Sequence, residues 1–302
     1  MVNTVKVRIP GTTANCGPGF DTIGMACTIY NELELTLSRS GSVEILVSGE
    51  GSNSLPKDER NIVIRAIRKV LAAVNSPYQG IRLVMDNKIP LSRGLGSSAA
   101  AIVGGLVAAN AATGNTLSND VILNMATEME GHPDNVAPAL FGGIAISVAN
   151  GKDVHCMHFS PVRPLSMVVA VPEFSLSTHK ARSVLPVNVP LKDAIFNVSR
   201  TAMLVSALCS GKYDYLMCAL DDKLHQPYRE VLIPGMKAVF MAASEAGALG
   251  SVISGAGPCL IAFTEKNDQK IGEAMVKAFA DNGVKASYLL LQVDTAGAQV
   301  LV

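Results

Sequence analysis

Apolar and polar residues alternate with a period of two over "TVKVRIP" and again over "NELELTLSRSGSVEILVSG", the side-chain rhythm of half-buried strands. Turn residues separate the runs, so the pattern predicts an antiparallel N-terminal sheet. The rhythm then changes. "NIVIRAIRKVLAAVN" sets Ile64, Ile67 and Leu71 at helical spacing, and "IRLVMDNKIP" predicts a strand that runs into a glycine loop, "PLSRGLGSSAA". Past the loop, "AAAIVGGLVAANAATG" predicts a helix ending near Gly114 and "SNDVILNMATEMEG" a second one with Ser118 as its N-cap. "DNVAPALFGGIAISVANG" leads back into strand.

A fresh strand-rich unit opens at "LSMVVAVP". Helices follow through "DAIFNVSRTAMLVSALCSG" and "LIPGMKAVFMAASEAG", and the chain closes as strand, "SGAGP" turn, strand, helix, strand. That order predicts a ferredoxin-like α+β ending, with a soft boundary near residue 160. The expected units are therefore 1–160 and 161–302, in line with the prior that a chain of 302 residues forms two domains.

Composition narrows the classes. Hydrophobic residues make up 49% and charged residues 17%, an ordinary globular balance. Lys+Arg and Asp+Glu both number 25, which leaves no basic surplus to neutralise a phosphate backbone and argues against nucleic acid as main partner. The N-terminus has no apolar core of a signal peptide. The most apolar stretch, "AAAIVGGLVAANAA", falls short of a membrane span. Six scattered cysteines, none in a CxxC pair, read as reduced and mostly buried thiols of a cytoplasmic protein.

The glycine loop carries the chemistry. Backbone N–H groups flowing into a helix N-terminus combine free donors with the positive end of the helix dipole. Such a loop suits an anion, and glycines let the backbone approach a phosphate closely. The same residues also suit a plain turn into a tightly packed helix. No GK[ST] follows the glycines, so the P-loop pattern fails. Gly94, Gly96 and Ala99 satisfy GxGxxA superficially, but the acid at the required distance, Asp120, starts a helix instead of closing a strand. His155 and His158, three apart in the strand-like "DVHCMHF", point to opposite faces and make no metal pair.

The loop "PLSRGLGSSAA" resembles the ATP loop of the GHMP kinases, the galactokinase, homoserine kinase, mevalonate kinase and phosphomevalonate kinase superfamily, at every fixed position. "PGTTANCGPGFDTIGMA", "EGHPDNVAPALFGG", "STHKAR" and "HQPYRE" resemble homoserine kinases in particular, and "SGAGPCLIAF" resembles the superfamily's third glycine motif. The matches run in family order from residue 8 to 263. Gly11 and Cys16 depart from the commoner alanine and leucine. The resemblance implies a two-domain GHMP kinase fold, its N-terminal domain carrying an unusual left-handed β-α-β unit. It also implies an enzyme that transfers the γ-phosphate of ATP to the hydroxyl of L-homoserine on the way to threonine, working as a homodimer.

Residue by residue, the resemblance places ATP on Pro90, Leu91, Ser92, Arg93, Gly94, Leu95, Gly96, Ser97, Ser98, Ala99 and Ala100. It adds Lys88 for a phosphate and Asn61 for the base or ribose. The "SGAGP" turn would supply backbone N–H groups or close the site near the glycine loop, with Gly255 and Gly257 giving the close approach. Mg2+ is expected on Ser98 and Glu130, with Glu128 and Ser97 as the weaker neighbours, and with several waters as this ion prefers. A zwitterionic substrate needs a cation, an anion and a polar group near its hydroxyl. Arg182 and Arg229 suit the carboxylate, since a guanidinium binds one bidentately. Asp21 suits the ammonium, Asn15 and Asn135 the hydroxyl, and His132 the orientation of the substrate. Asp134 invites a general-base role that the resemblance leaves open. His179 and His225 read as structural. Three other readings stay open: a sibling small-molecule kinase, such as one for mevalonate or a sugar, against which the paired arginines speak; a GHMP-fold sensor without turnover, since fold never guarantees activity; and an NAD-dependent oxidoreductase on the GxGxxA match.

Overall fold

The structure is a computed structural model that describes residues 3–39, 41–151 and 153–301. Two sheets organise it. The first strand, β1 (Asn3–Ala14), pairs antiparallel with the long β2 (Ile23–Ser38), as the alternation predicted. The expected antiparallel partner β3 (Val43–Gly49) lies elsewhere: across helix α1 (Ile62–Ala73) it pairs parallel with β4 (Gly80–Asn87), and β4 pairs antiparallel with β2. Hydrophobic alternation fixes which face of a strand is buried but not its neighbour.

β4 runs into the glycine loop and then α2 (Ser97–Ala112). Gly105 lets α2 lie close to α1, since a Cβ there would press on the Val63 carbonyl and Ala66. α3 (Asn119–Glu130) follows, with the Ser118 side chain accepting from the Val121 N–H as an N-cap. A short helix that the sequence pattern missed, α4 (Pro133–Phe141), precedes the hairpin β5 (Ile144–Asn150) and β6 (Asp153–Phe159). Pro138 sits inside α4, which masked its helical character. In β6 the exposed His158 stacks on Phe141, and His155 is exposed.

The second sheet has the order expected of a ferredoxin-like unit. It is built from β7 (Ser166–Pro172), then a helical stretch of α5 (Thr178–Ser183), α6 (Leu191–Ser210), α7 (Leu216–Ala219), α8 (Gln226–Arg229) and α9 (Met236–Ala246), then β8 (Gly250–Ile253), β9 (Leu260–Thr264), α10 (Asp268–Asp281) and β10 (Ala286–Gln292). The strands lie β10-β7-β9-β8, all antiparallel. Alternate residues of β7 and β9 serve two cores. Met167, Val169, Ile261 and Phe263 join one that continues into the first sheet, while Val168, Ala170, Leu260 and Ala262 pack with Val239, Met275 and Phe279. The last strand, β11 (Gln299–Leu301), crosses back to pair with β1, so a cut at residue 160 leaves one strand of the first sheet with the other half.

Among the described residues no helix is long and apolar enough to cross a membrane. All six cysteines are free thiols, but only Cys16, Cys27 and Cys259 are buried, and Cys209 and Cys218 are exposed. Burial pushes the Cys27 thiol up to about 12, which leaves it inert at neutral pH.

Candidate active site

Where the two sheets meet, the glycine loop, the turn after β1, the start of α4 and the helices α5 and α8 surround one cavity of about 230 Å³. The loop is held by backbone bonds on every side. Leu95 accepts from the Thr12 N–H at 3.0 Å and Arg93 from the Cys259 N–H at 3.2 Å, and Gly94 accepts from the Ser254 hydroxyl at 2.6 Å. Gly96 is the N-cap of α2 with φ +66°, and a Cβ on it would collide with Thr12 Oγ1. Gly94, with φ +80°, meets the Ser254 carbonyl in the same way. Only glycine combines a positive φ with this closeness. The first helical bond is Ala100 N–H to Gly96 carbonyl, so the N–H groups of Ser97, Ser98 and Ala99 have no carbonyl one turn back.

Ser98 Oγ donates to Glu130 Oε2 at 2.7 Å. The expected pair of hard oxygen donors is thus together at the N-terminus of α2, at the cavity wall. No group of three or more His, Cys, Asp or Glu is arranged to hold a metal ion by itself among the described residues. A magnesium ion held mainly by phosphates and water needs no such cluster, so the donor set fits. Glu128 pairs with Lys69 at 2.9 Å.

Opposite the loop, Arg182 forms a bidentate ion pair with Asp21, at 2.7 and 3.0 Å. The Asp21 hydrogen bond and charge hold the guanidinium pKa above its usual value against the effect of burial. Arg229 is buried: its Nε bonds the Ala181 carbonyl at 3.2 Å, and Nη1 bonds the Gly255 carbonyl at 2.8 Å and His225 Nδ1 at 3.2 Å. Burial, and next the Arg182 charge, pull its pKa down to about 10, so it stays a cation at neutral pH. His225 donates from Nε2 to the Gly17 carbonyl at 2.8 Å, which makes Nδ1 the acceptor for Arg229. Burial lowers the His225 pKa and keeps this tautomer neutral. Asp222 caps the turn beneath, accepting from the Leu224, His225 and Gln226 N–H groups and from Asn197.

At the third wall, Asp134 is buried and its Oδ1 meets His132 Nδ1 at 2.5 Å. Burial works against a charged imidazole there, but the Asp134 bond and the charges of Asp134, Glu130 and Asp21 outweigh it, and the His132 pKa is raised. Asp134 Oδ2 makes no hydrogen bond among the described residues. Asn135 accepts from the Thr12 hydroxyl at 2.8 Å and leaves its amide N–H groups with one long 3.4 Å bond to Asp134.

Several expected ligands also act as braces. Asn15 lines the cavity, donates to the Gly255 carbonyl at 2.8 Å and accepts from the Asp21 N–H at 3.0 Å, tying two turns together. Arg93 is clamped to the Pro172 and Glu173 carbonyls, although it lines the cavity. Asn61 caps α1 through Val63 and donates to the Pro56 carbonyl and the Met85 sulfur, and it lines the neighbouring cavity that Ser97 and Ser98 share. Lys88 pairs with Asp86 at 3.5 Å and lines neither this cavity nor the next. The Gly255 and Gly257 N–H groups bond the Ala14 and Ser254 carbonyls; the turn closes the site and presents no donor at these two positions. Ala99 and Ala100 are buried behind the loop. Thr12 and Thr178 escaped sequence reasoning: a threonine in a motif has no charge to flag it, and only the fold shows Thr12 bonded to Asn135.

A second cavity adjoins the first across Ser97 and Ser98. Its other walls are largely apolar, with Leu55, Pro56, Ile62, Met85 and Leu91. A dinucleotide site would need the loop inside a parallel β-α-β unit, but β4 has β2 and β3 as neighbours and the next strand, β5, pairs antiparallel with β2. Asp120 lies in the first turn of α3.

Comparison with known proteins gives the family and the fold. The family model of the GHMP kinases N terminal domain matches residues 61–143, and that of the GHMP kinases C terminal region matches residues 204–281. The homoserine kinase of Moorella thermoacetica is 49% identical over 98% of this chain and 99% of its own length. That of Carboxydothermus hydrogenoformans is 45% identical over 97% and 96%. The crystal structure of homoserine kinase from Cytophaga hutchinsonii superposes with a TM-score of 0.91 at 34% identity, covering 99% of this chain and 98% of that one. The mevalonate kinase of L. major shares the fold, with a TM-score of 0.70 at 17% identity. The chain belongs to the homoserine kinases, within the GHMP kinases.

Proposed function

We propose that the protein transfers the γ-phosphoryl group of ATP to the side-chain hydroxyl of L-homoserine, giving O-phospho-L-homoserine and ADP. One observation carries this reading: a cation pair with an attendant carboxylate, Arg182 and Arg229 with Asp21, faces a glycine-rich helix N-terminus inside one cavity. That is the charge pattern of a zwitterion set against a phosphate. The adenine ring occupies the largely apolar cavity beside Ser97 and Ser98, where Leu55, Pro56, Ile62, Met85 and Leu91 suit a heteroaromatic and Asn61 offers a polar neighbour. The phosphates lie on the free N–H groups at the start of α2. Ser98 and Glu130 hold Mg2+, which when bound neutralises charge on the phosphates.

On the acceptor side, Asp21 keeps lone pairs beyond its bond to Arg182 and takes the substrate ammonium. Arg229 offers Nη2, which has no partner among the described residues, to the substrate carboxylate. Asn135 donates to the hydroxyl oxygen and fixes its line of attack. Phosphoryl transfer passes through a loose transition state, so positioning counts for more than early deprotonation. Asp134 Oδ2 is the remaining oxygen able to take the proton as the new bond forms.

A sensor without turnover would not need a magnesium acid, and the bonded Ser98–Glu130 pair disfavours it. Two units, 1–160 and 161–302, with β11 crossing between them, a cytoplasmic location and a homodimer complete the proposal; the last two rest on the family likeness. ADP release with magnesium-ATP and L-homoserine tests the reaction, and sizing of the purified protein tests the dimer.

A further inference from the structure

Phe20 stands one residue before Asp21 in the turn after β1, and its ring is not part of the cavity wall. It nevertheless touches both cations. The guanidinium carbon of Arg182 lies 5.4 Å from the ring centroid and that of Arg229 lies 5.3 Å from it. His225, the acceptor of the Arg229 Nη1 bond, stacks on the same ring at 5.1 Å. We propose that Phe20 is a positioning residue that holds the two guanidinium groups side by side and thereby sets the affinity for the substrate carboxylate. This inference rests on the reading of the cavity as a homoserine site.

Arg182 and Arg229 are two like charges confined to one cavity. Asp21 neutralises Arg182 directly, whereas the hydrogen bonds of Arg229 go to carbonyl oxygens and a neutral imidazole, and Asp21, Asp222 and Asp134 act on its charge only through space. A second carboxylate beside Arg229 would stabilise it but would occupy the N–H groups that the substrate needs. An aromatic face attracts cations through its quadrupole and accepts no conventional hydrogen bond. Phe20 therefore lowers the cost of bringing Arg182 and Arg229 together while leaving Nη2 of Arg229 open. An aliphatic side chain of similar bulk would keep the packing and lose this attraction.

Steady-state kinetics of the full chain with magnesium-ATP and L-homoserine test the inference on Phe20→Leu and Phe20→Tyr. The account expects Phe20→Leu to raise the homoserine KM about tenfold, the size of one or two cation–π contacts, with the ATP KM and kcat within about twofold. Phe20→Tyr keeps the aromatic face and should stay within about twofold of wild type in all three. An unchanged homoserine KM in Phe20→Leu overturns the inference. So does a parallel loss of kcat and ATP affinity, the mark of a purely structural role, or a Tyr variant as impaired as the Leu one. Should Phe20→Leu fail to fold, Phe20→Met is read by the same outcomes. A wild-type protein inert towards homoserine removes the functional reading first and this inference with it; wild-type turnover followed by an unmoved variant removes the inference alone.

Discussion

Ser98 Oγ and Glu130 Oε2 lie 2.7 Å apart, joining the first turn of α2 to the last residue of α3. The pair faces the loop's free N–H groups, where a nucleotide's phosphates and their counter-ion belong. Ser98→Ala and Glu130→Gln should each lower kcat about a hundredfold, the usual cost of losing a group that stabilises transition-state charge. Raised magnesium should recover activity only in part. Turnover against magnesium concentration at saturating ATP checks this, and a variant with wild-type kcat and magnesium dependence removes the assignment.

Arg229 is buried and braces α5 and the Gly255 turn as well as facing the cavity. Arg229→Ala should therefore combine a homoserine KM about a hundredfold higher with a stability loss of about 2–4 kcal/mol, because it leaves buried carbonyls unpaired. Arg182 is more exposed and its bonds go to Asp21. Arg182→Ala should raise the homoserine KM with little loss of stability. Urea unfolding alongside kinetics separates the two.

Gly96 and Gly114 both adopt positive φ, but a Cβ on Gly96 meets Thr12 whereas one on Gly114 meets nothing within 4 Å. Both alanine variants should lose about 1–3 kcal/mol through backbone strain. Only Gly96→Ala should also lose ATP affinity, read by nucleotide titration, since only there does the loop have to shift.

Half-buried His132 and buried His225 should shape the stability profile in opposite directions. The raised pKa of His132 means that its ion pair with Asp134 stabilises fully below the unfolded value near ~6.5 and that this contribution is lost as pH rises through the folded pKa. The His225 pKa is lowered, so the unfolded chain takes up its proton first and stability falls as pH drops below ~6.5 towards the folded value. Urea unfolding from acid to neutral pH should show His132→Gln losing most relative to wild type at the acid end. His225→Gln should lose the acid sensitivity. Parallel profiles for both variants would refute the assignments.

The sequence announced most of this site through residues whose chemistry is local. Glycines with a serine pair marked the loop, Ser118 marked a helix start, and the motif order brought Asp21, Glu130, Asp134 and Arg182 into one list. What it could not announce were partners fixed by tertiary packing. Asn15, Asn61 and Arg93 are polar and sit in motifs, and only the fold shows that, besides lining the cavities, their side chains hold turns and helices in place. The parallel pairing of β3 and the return of β11 to β1 are likewise set by distant elements, as is the placement of Arg182 and Arg229 over Phe20.

ADP release by the purified protein with magnesium-ATP should be measured against L-homoserine, mevalonate and galactose in parallel. The account predicts turnover with homoserine alone, with phosphate recovered on its side-chain hydroxyl. Clear ATP binding without turnover on homoserine, or preferential turnover of either other alcohol, would contradict it.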